Sequence, residues 1–169
     1  MADLDIDAAM GRSTDRFVDE ITSMDQEQWL YRPTPGAWCA SEVAEHLVIS
    51  NRGILSRLSR GLTTPLDGPL GVADDEIPYL FYRGDEPPNV ATPTGTWTDV
   101  DPAVRELVAS SDALIAWHRD TDLDPRGSGA MHPVFGMLDA MQWLLFAQAH
   151  TERHRAQLFG LRRAHLSDL

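Results

Sequence analysis

A chain of 169 residues, 43% of them hydrophobic, is long enough to bury one core without staples, and no apolar run approaches the roughly 18 residues that a membrane span needs; a soluble single domain over residues 1–169 is expected. A formal net charge of −12 opposes a phosphate backbone, so no nucleic-acid partner is expected, and the fourteen basic residues, all arginine, exclude lysine Schiff-base and P-loop chemistry. The single cysteine, Cys39, excludes an internal disulfide and a cysteine-ligated zinc cluster, which leaves His, Asp and Glu as donors for any metal.

The amino terminus carries acids where a secretory signal needs a basic region, so the chain reads as cytoplasmic. Asp5 to Ser23 is expected to form the first helix: Ile6, Ala9, Met10, Phe17, Val18 and Ile21 make an approximate helical stripe, and aspartates near the start suit the helix dipole. Pro33, Pro35 and Gly36 make Met24 to Trp38 a connector, which Trp29, Tyr31 and Trp38 fold back onto the core. Ser41 to Arg60 reads as the second helix, with Cys39 at the cap position, Glu42 at capping-box spacing, and Val43, Leu47, Ile54 and Leu58 as the buried stripe. His46 lies at the edge of that stripe. Two turns later, Gly53 leaves room for a ligand or a close neighbour helix.

Seven of the eleven prolines fall between Pro65 and Pro102, so Gly61 to Asp101 cannot be one long helix. A short helical turn is expected at Asp74 to Phe81, and the rest is either a lid or a surface wrap docked by Tyr79, Phe81, Tyr82 and Trp97. Asp101 before Pro102 starts the third helix, which runs to about Arg119. Asp120 to Gly136 is a turn-rich linker. The last helix covers Asp139 to Leu161, capped by Asp139 with Gln142 three residues on. Four long helices and no convincing strand imply an all-α fold, a four-helix bundle.

His150 and His154 stand one turn apart on the last helix, within about 40° on one face and about 6 Å apart along the axis. Trp143, Phe146, Ala147, Gln157, Leu158 and Leu161 share that face, so both imidazoles point inward. With His46 they make three inward-facing histidines on two helices. That is the donor set of an open metal site, in which a fourth position is left for water or substrate. An HxxxH pair also arises among hydrogen-bonded core histidines, and no Glu follows His150, so this is not the HExxH of a zinc protease. Glu42, one turn before His46, is a candidate to orient its free ring nitrogen or act as a base, and Gln157 to bond a metal-bound water; each also has an ordinary structural reading. His118 and His165 are expected to face solvent near helix ends.

Trp38-Cys-Ala-Ser-Glu-Val-Ala-Glu-His46-Leu, His132-Pro-x-Phe-Gly136 and His150-x-x-x-His154-x-x-Gln157-Leu together resemble the DinB-like superfamily, also called the YfiT-like metal-dependent hydrolases, over essentially the whole chain. The resemblance implies an up-and-down four-helix bundle with a long connection between helices 2 and 3. It also implies a divalent metal, zinc or nickel, on His46, His150 and His154, and His132 shaping the linker near the site. Cys39 departs from the Ser or Thr more usual in the family at the cap. The implied function is hydrolysis or transfer of a low-molecular-weight thiol on a small molecule, often by a homodimer; the alternative is a noncatalytic metal- or ligand-binding bundle.

Overall fold

The structure, a computed structural model, describes residues 5–60, 64–66, 70–82, 91–132 and 135–168. In chain order the elements are α1 (Ile6–Thr22), α2 (Gln26–Leu30), α3 (Ala40–Ser59), β1 (Thr64–Pro65), a 3-10 helix (Asp74–Tyr82), α4 (Val100–Asp120), β2 (Ser128–His132), β3 (Gly136–Asp139) and α5 (Ala140–Asp168). The four long helices α1, α3, α4 and α5 form the expected bundle, and the long connection separates α3 from α4.

The starts of α1, α2 and α3 have local causes, whereas α4 begins at Val100, before the expected Asp101, and its flanking Asp99 makes no side-chain cap bond. Asp5 accepts the Ala8 amide at 3.0 Å and starts α1, and Asp25 with Gln28 forms a complete capping box on α2, a helix that the connector's prolines concealed. At α3 the Glu42 half of the box is present, its carboxylate accepting the Cys39 amide at 3.1 Å.

One end of the bundle gathers Ile6 and Met10 of α1, Ile54 and Leu58 of α3, Leu114 of α4, and Ala140 and Trp143 of α5. The other gathers Phe17 and Ile21, Val43 and Leu47, Ala103 and Leu107, Leu158 and Leu161 from the same helices. So α1 and α5 run one way and α3 and α4 the other, with α1 and α3 each packed against both α4 and α5. Because α3 and α4 are parallel neighbours, the chain must cross the full bundle length between them, which a tight turn cannot do.

Between the two apolar clusters lies a polar layer. Thr14 donates to Ser111 at 2.8 Å, Asn51 to Ser110 at 3.2 Å and Gln148 to Ser13 at 2.9 Å. His150 and His154 fall at the same level of α5, between Ala147 and Leu158.

The absence of strands is corrected. β1, β2 and β3 form a small antiparallel sheet in that order, with Gly129 facing Thr64 on one side and Asp139 on the other. Ser128-Gly-Ala-Met-His132 carries little of the β-branched or aromatic content that marks a strand; pairing at the end of the bundle makes it one. Arg126 ties this sheet to the long connection by bonding Asp74 and the buried Asp139. The final helix also runs seven residues beyond the expected Leu161.

Candidate metal centre

His150 and His154 enter the site from α5 because both sit on the face that Trp143, Ala147, Leu158 and Leu161 bury. His46 comes from α3, half-buried, with the Trp38 ring at 4.9 Å from its own. The Nε2 atoms of His46 and His150 are 3.1 Å apart and those of His154 and His150 are 2.9 Å apart. The three ligand atoms lie within 4.8 Å of one another. Metal–nitrogen bonds of about 2.0–2.1 Å at angles of about 90–109° put nitrogens roughly 2.9–3.4 Å apart, so the two shortest separations are those of imidazoles around one small divalent ion.

The outer ring nitrogens explain why Nε2 faces inward. His46 Nδ1 donates to the Ala91 carbonyl at 2.7 Å, and His154 Nδ1 to Oε1 of Gln157 at 2.7 Å. A neutral imidazole has one N–H and one lone pair, so these two histidines each present a lone pair at Nε2. His150 Nε2 can donate to only one of them. At least one of the two contacts of about 3 Å is therefore left without a hydrogen bond among the imidazoles themselves, and a cation would use both lone pairs.

Electrostatics keep the cluster neutral. Burial lowers the pKa of all three imidazoles: His150 falls well below the usual histidine range, with further repulsion from His154 and His46, and His154 is held at about 3, with His46 adding to the effect. The Arg153 guanidinium also disfavours protonation of each. Neutral imidazole is the form that binds metal.

The two supporting candidates are placed differently. Glu42 does not reach His46; its carboxylate pairs with Arg32, one contact at 2.7 Å, and Arg32 also donates to the Ala37 carbonyl at 2.9 Å. That pair lowers the Glu42 carboxyl, although burial opposes it. Glu42 thus pins the Pro33–Ala37 loop leading to Trp38, and the outer nitrogen of His46 belongs to Ala91. Gln157 is exposed and reaches back to His154. Trp38 and Gln157 also line an open groove of about 570 Å³ with Pro33, Ala37, Leu161 and Ala164, so the groove adjoins the centre.

His132 lies behind His150. It stacks on Phe135 at 4.4 Å and packs at 5.0 Å from Phe146, whose ring lies over His150 at 5.4 Å. His165 is buried, contrary to expectation, with the Tyr31 ring at 5.0 Å, and His118 pairs with Asp7 at 2.8 Å. Gly53 is exposed with nothing within 4 Å of a Cβ built on it, so no neighbouring helix among the described residues packs close there. In the long connection, Trp97 packs on the core whereas Tyr79 is exposed. Phe81 and Tyr82 have side chains outside the described set, as do residues 83–90 of the suggested lid. Cys39 is buried, which raises its thiol pKa and disfavours the thiolate that a nucleophile needs.

Sequence reasoning passed over Ala91 and Glu45. Glu45 is a buried carboxylate beside His46 that accepts from the Thr94 and Thr96 hydroxyls and the Gly95 and Thr96 amides; burial raises its pKa, but these bonds win and hold it at about 2. No helix among the described residues is long and apolar enough to cross a membrane.

The family model of the DinB superfamily matches residues 9–158. Among solved structures, YfiT from Bacillus subtilis, described as a probable metal-dependent hydrolase with an unusual four-helix bundle topology, is similar over 94% of this chain and 84% of its own, with 18% identity and a TM-score of 0.66. At that identity the likeness speaks for the fold. No curated protein matches the chain.

Proposed function

Because this chain belongs to the DinB superfamily, as the match over residues 9–158 shows, we propose that it is a metal-dependent enzyme acting on a small molecule by hydrolysis or by transfer of a low-molecular-weight thiol. His46, His150 and His154 would hold the ion, with zinc or nickel best suited to three imidazoles. When bound, such an ion supplies Lewis acidity, which makes a nucleophile of water or a thiol near neutral pH and polarises an acceptor.

The observation that carries this reading is the convergence of the three Nε2 atoms while Ala91 and Gln157 hold the outer nitrogens of His46 and His154. Two fixed tautomers turn lone pairs toward His150, and a single imidazole N–H can serve only one of them. In this reading Gln157 orients His154, and Glu42 acts through the loop that brings Trp38 over His46. The adjoining groove, mostly apolar in its lining, offers a place for a substrate beside the ion. YfiT, described as a probable metal-dependent hydrolase, lends support through the shared fold.

The test is metal analysis of untagged protein grown with zinc or nickel, followed by turnover of ester, amide and thiol-acceptor substrates. One ion per chain is expected, with His150→Ala losing both the ion and turnover. Stoichiometric metal without turnover of any substrate would leave a binding module, and no metal under either supplement would remove the site altogether.

A further inference from the structure

The chain returning from the long connection is gripped by α3 at two points one turn apart. Ser41 Oγ donates to the Trp97 carbonyl at 2.5 Å. Glu45 takes four bonds: the hydroxyls of Thr94 and Thr96 reach Oε1 at 2.7 and 2.8 Å, and the amides of Gly95 and Thr96 reach Oε2 at 2.8 and 3.1 Å. Gly95 has φ of +75°, the left-handed conformation that lets adjacent amides converge on one oxygen. Three residues before Thr94, the buried Ala91 turns its carbonyl onto Nδ1 of His46, the neighbour of Glu45 on the same helix.

The loop is therefore anchored at Glu45 and delivers its acceptor to His46. The two amides facing the carboxylate can only donate, whereas the two threonine hydroxyls, 2.9 Å from each other, can also accept. A Gln at this position keeps one oxygen for the two amides and can turn its NH2 to the hydroxyls, whereas an Ala removes every acceptor and releases the loop from this anchor.

We infer that Glu45 is a positioning residue of the metal centre, which by anchoring Thr94–Thr96 keeps the Ala91 carbonyl on His46 Nδ1 and leaves the Nε2 lone pair aimed at His150 and His154. This rests on the three histidines holding a divalent ion. The effect passes from Glu45 through the loop to the tautomer and ring angle of His46.

The test combines two readouts on the full chain. Long-range 1H–15N spectra of metal-free protein report the tautomer of each histidine, and competition with a chromophoric chelator gives the affinity for zinc and nickel. In Glu45→Ala, His46 is expected to change from a single Nδ1–H tautomer to a mixture while His154 stays fixed, and affinity to fall about tenfold to a hundredfold; Glu45→Gln, which keeps an acceptor for the amides, should fall between Ala and the wild type. Gln157→Ala should do the converse, releasing His154 and sparing His46. Should Glu45→Ala not fold, Thr94→Val/Thr96→Val removes two of the four donors, keeps the carboxylate, and should show the same changes to a smaller degree. Wild-type affinity together with an unchanged His46 tautomer in the folded variants overturns the inference. A wild-type protein that takes up no metal overturns the proposed function and this role with it.

Discussion

Burial, with the Arg57 guanidinium adding to it, holds the His132 imidazole at about 4 against an ordinary 6.5. Between those values the unfolded chain binds a proton that the folded chain refuses, so this contribution is fully present above the upper value and is lost as pH falls toward the lower. At pH 5 the loss is about 2 kcal/mol. His132→Gln, which keeps an acceptor for the Phe135 amide, should flatten the decline in urea stability between pH 7 and pH 5 by that amount in chelator-treated protein; an unchanged slope would mean that His132 protonates freely in the fold. The three site histidines were legible in the sequence because residues 46, 150 and 154 each fall on an apolar face. Glu45 was not, since its partners lie about 50 residues away, in a proline-rich stretch without periodicity. Glu42 was legible as a capping residue, but its pairing with Arg32 across the connector was not.

Among the elements, the ends that local chemistry defines came closest to expectation: Asp5 caps α1 and Asp139 bonds the Gln142 amide at 2.7 Å to start α5. The small sheet was hidden because its strands borrow their order from one another. Arg126 shows what holds such a region, since it bridges Asp74 on the 3-10 helix and Asp139 at the head of α5. Asp139 is only 1% exposed, so Arg126→Ala strands a buried carboxylate; with Arg126 itself 43% exposed, the expected cost is about 2 kcal/mol in chemical denaturation. The Arg52–Glu106 pair has both side chains exposed, and Arg52→Ala should change stability by less than about 0.5 kcal/mol. Equal effects of the two substitutions would show that burial of Asp139 does not matter.

At the scale of the molecule, the polar layer divides one core into two apolar halves and fixes how the helices slide past one another. Ser110→Ala leaves the Asn51 amide without its hydroxyl partner and should cost about 1–2 kcal/mol. Asn51→Leu/Ser110→Ala removes both polar groups and should return to within about 1 kcal/mol of the original. Denaturation of the two singles and the double gives the coupling; additive effects would mean the layer is not a unit. The bundle was legible from four apolar periodicities, but the parallel run of α3 and α4 was not, because periodicity carries no direction. That crossover has a thermodynamic consequence. His46 and His150 are 104 residues apart in the chain, and closing a loop of that span costs on the order of 4 kcal/mol of chain entropy in the unfolded state. An unfolded chain therefore shows an ion little more than the HxxxH turn, and an ion favouring the assembled triad stabilises the folded form by about 2.7 kcal/mol at a hundred times its dissociation constant. Added zinc or nickel should raise the melting temperature of the wild type and leave His46→Ala nearly unmoved. Metal loading would then come last in folding, after α5 has docked, and would act as a latch on the finished chain.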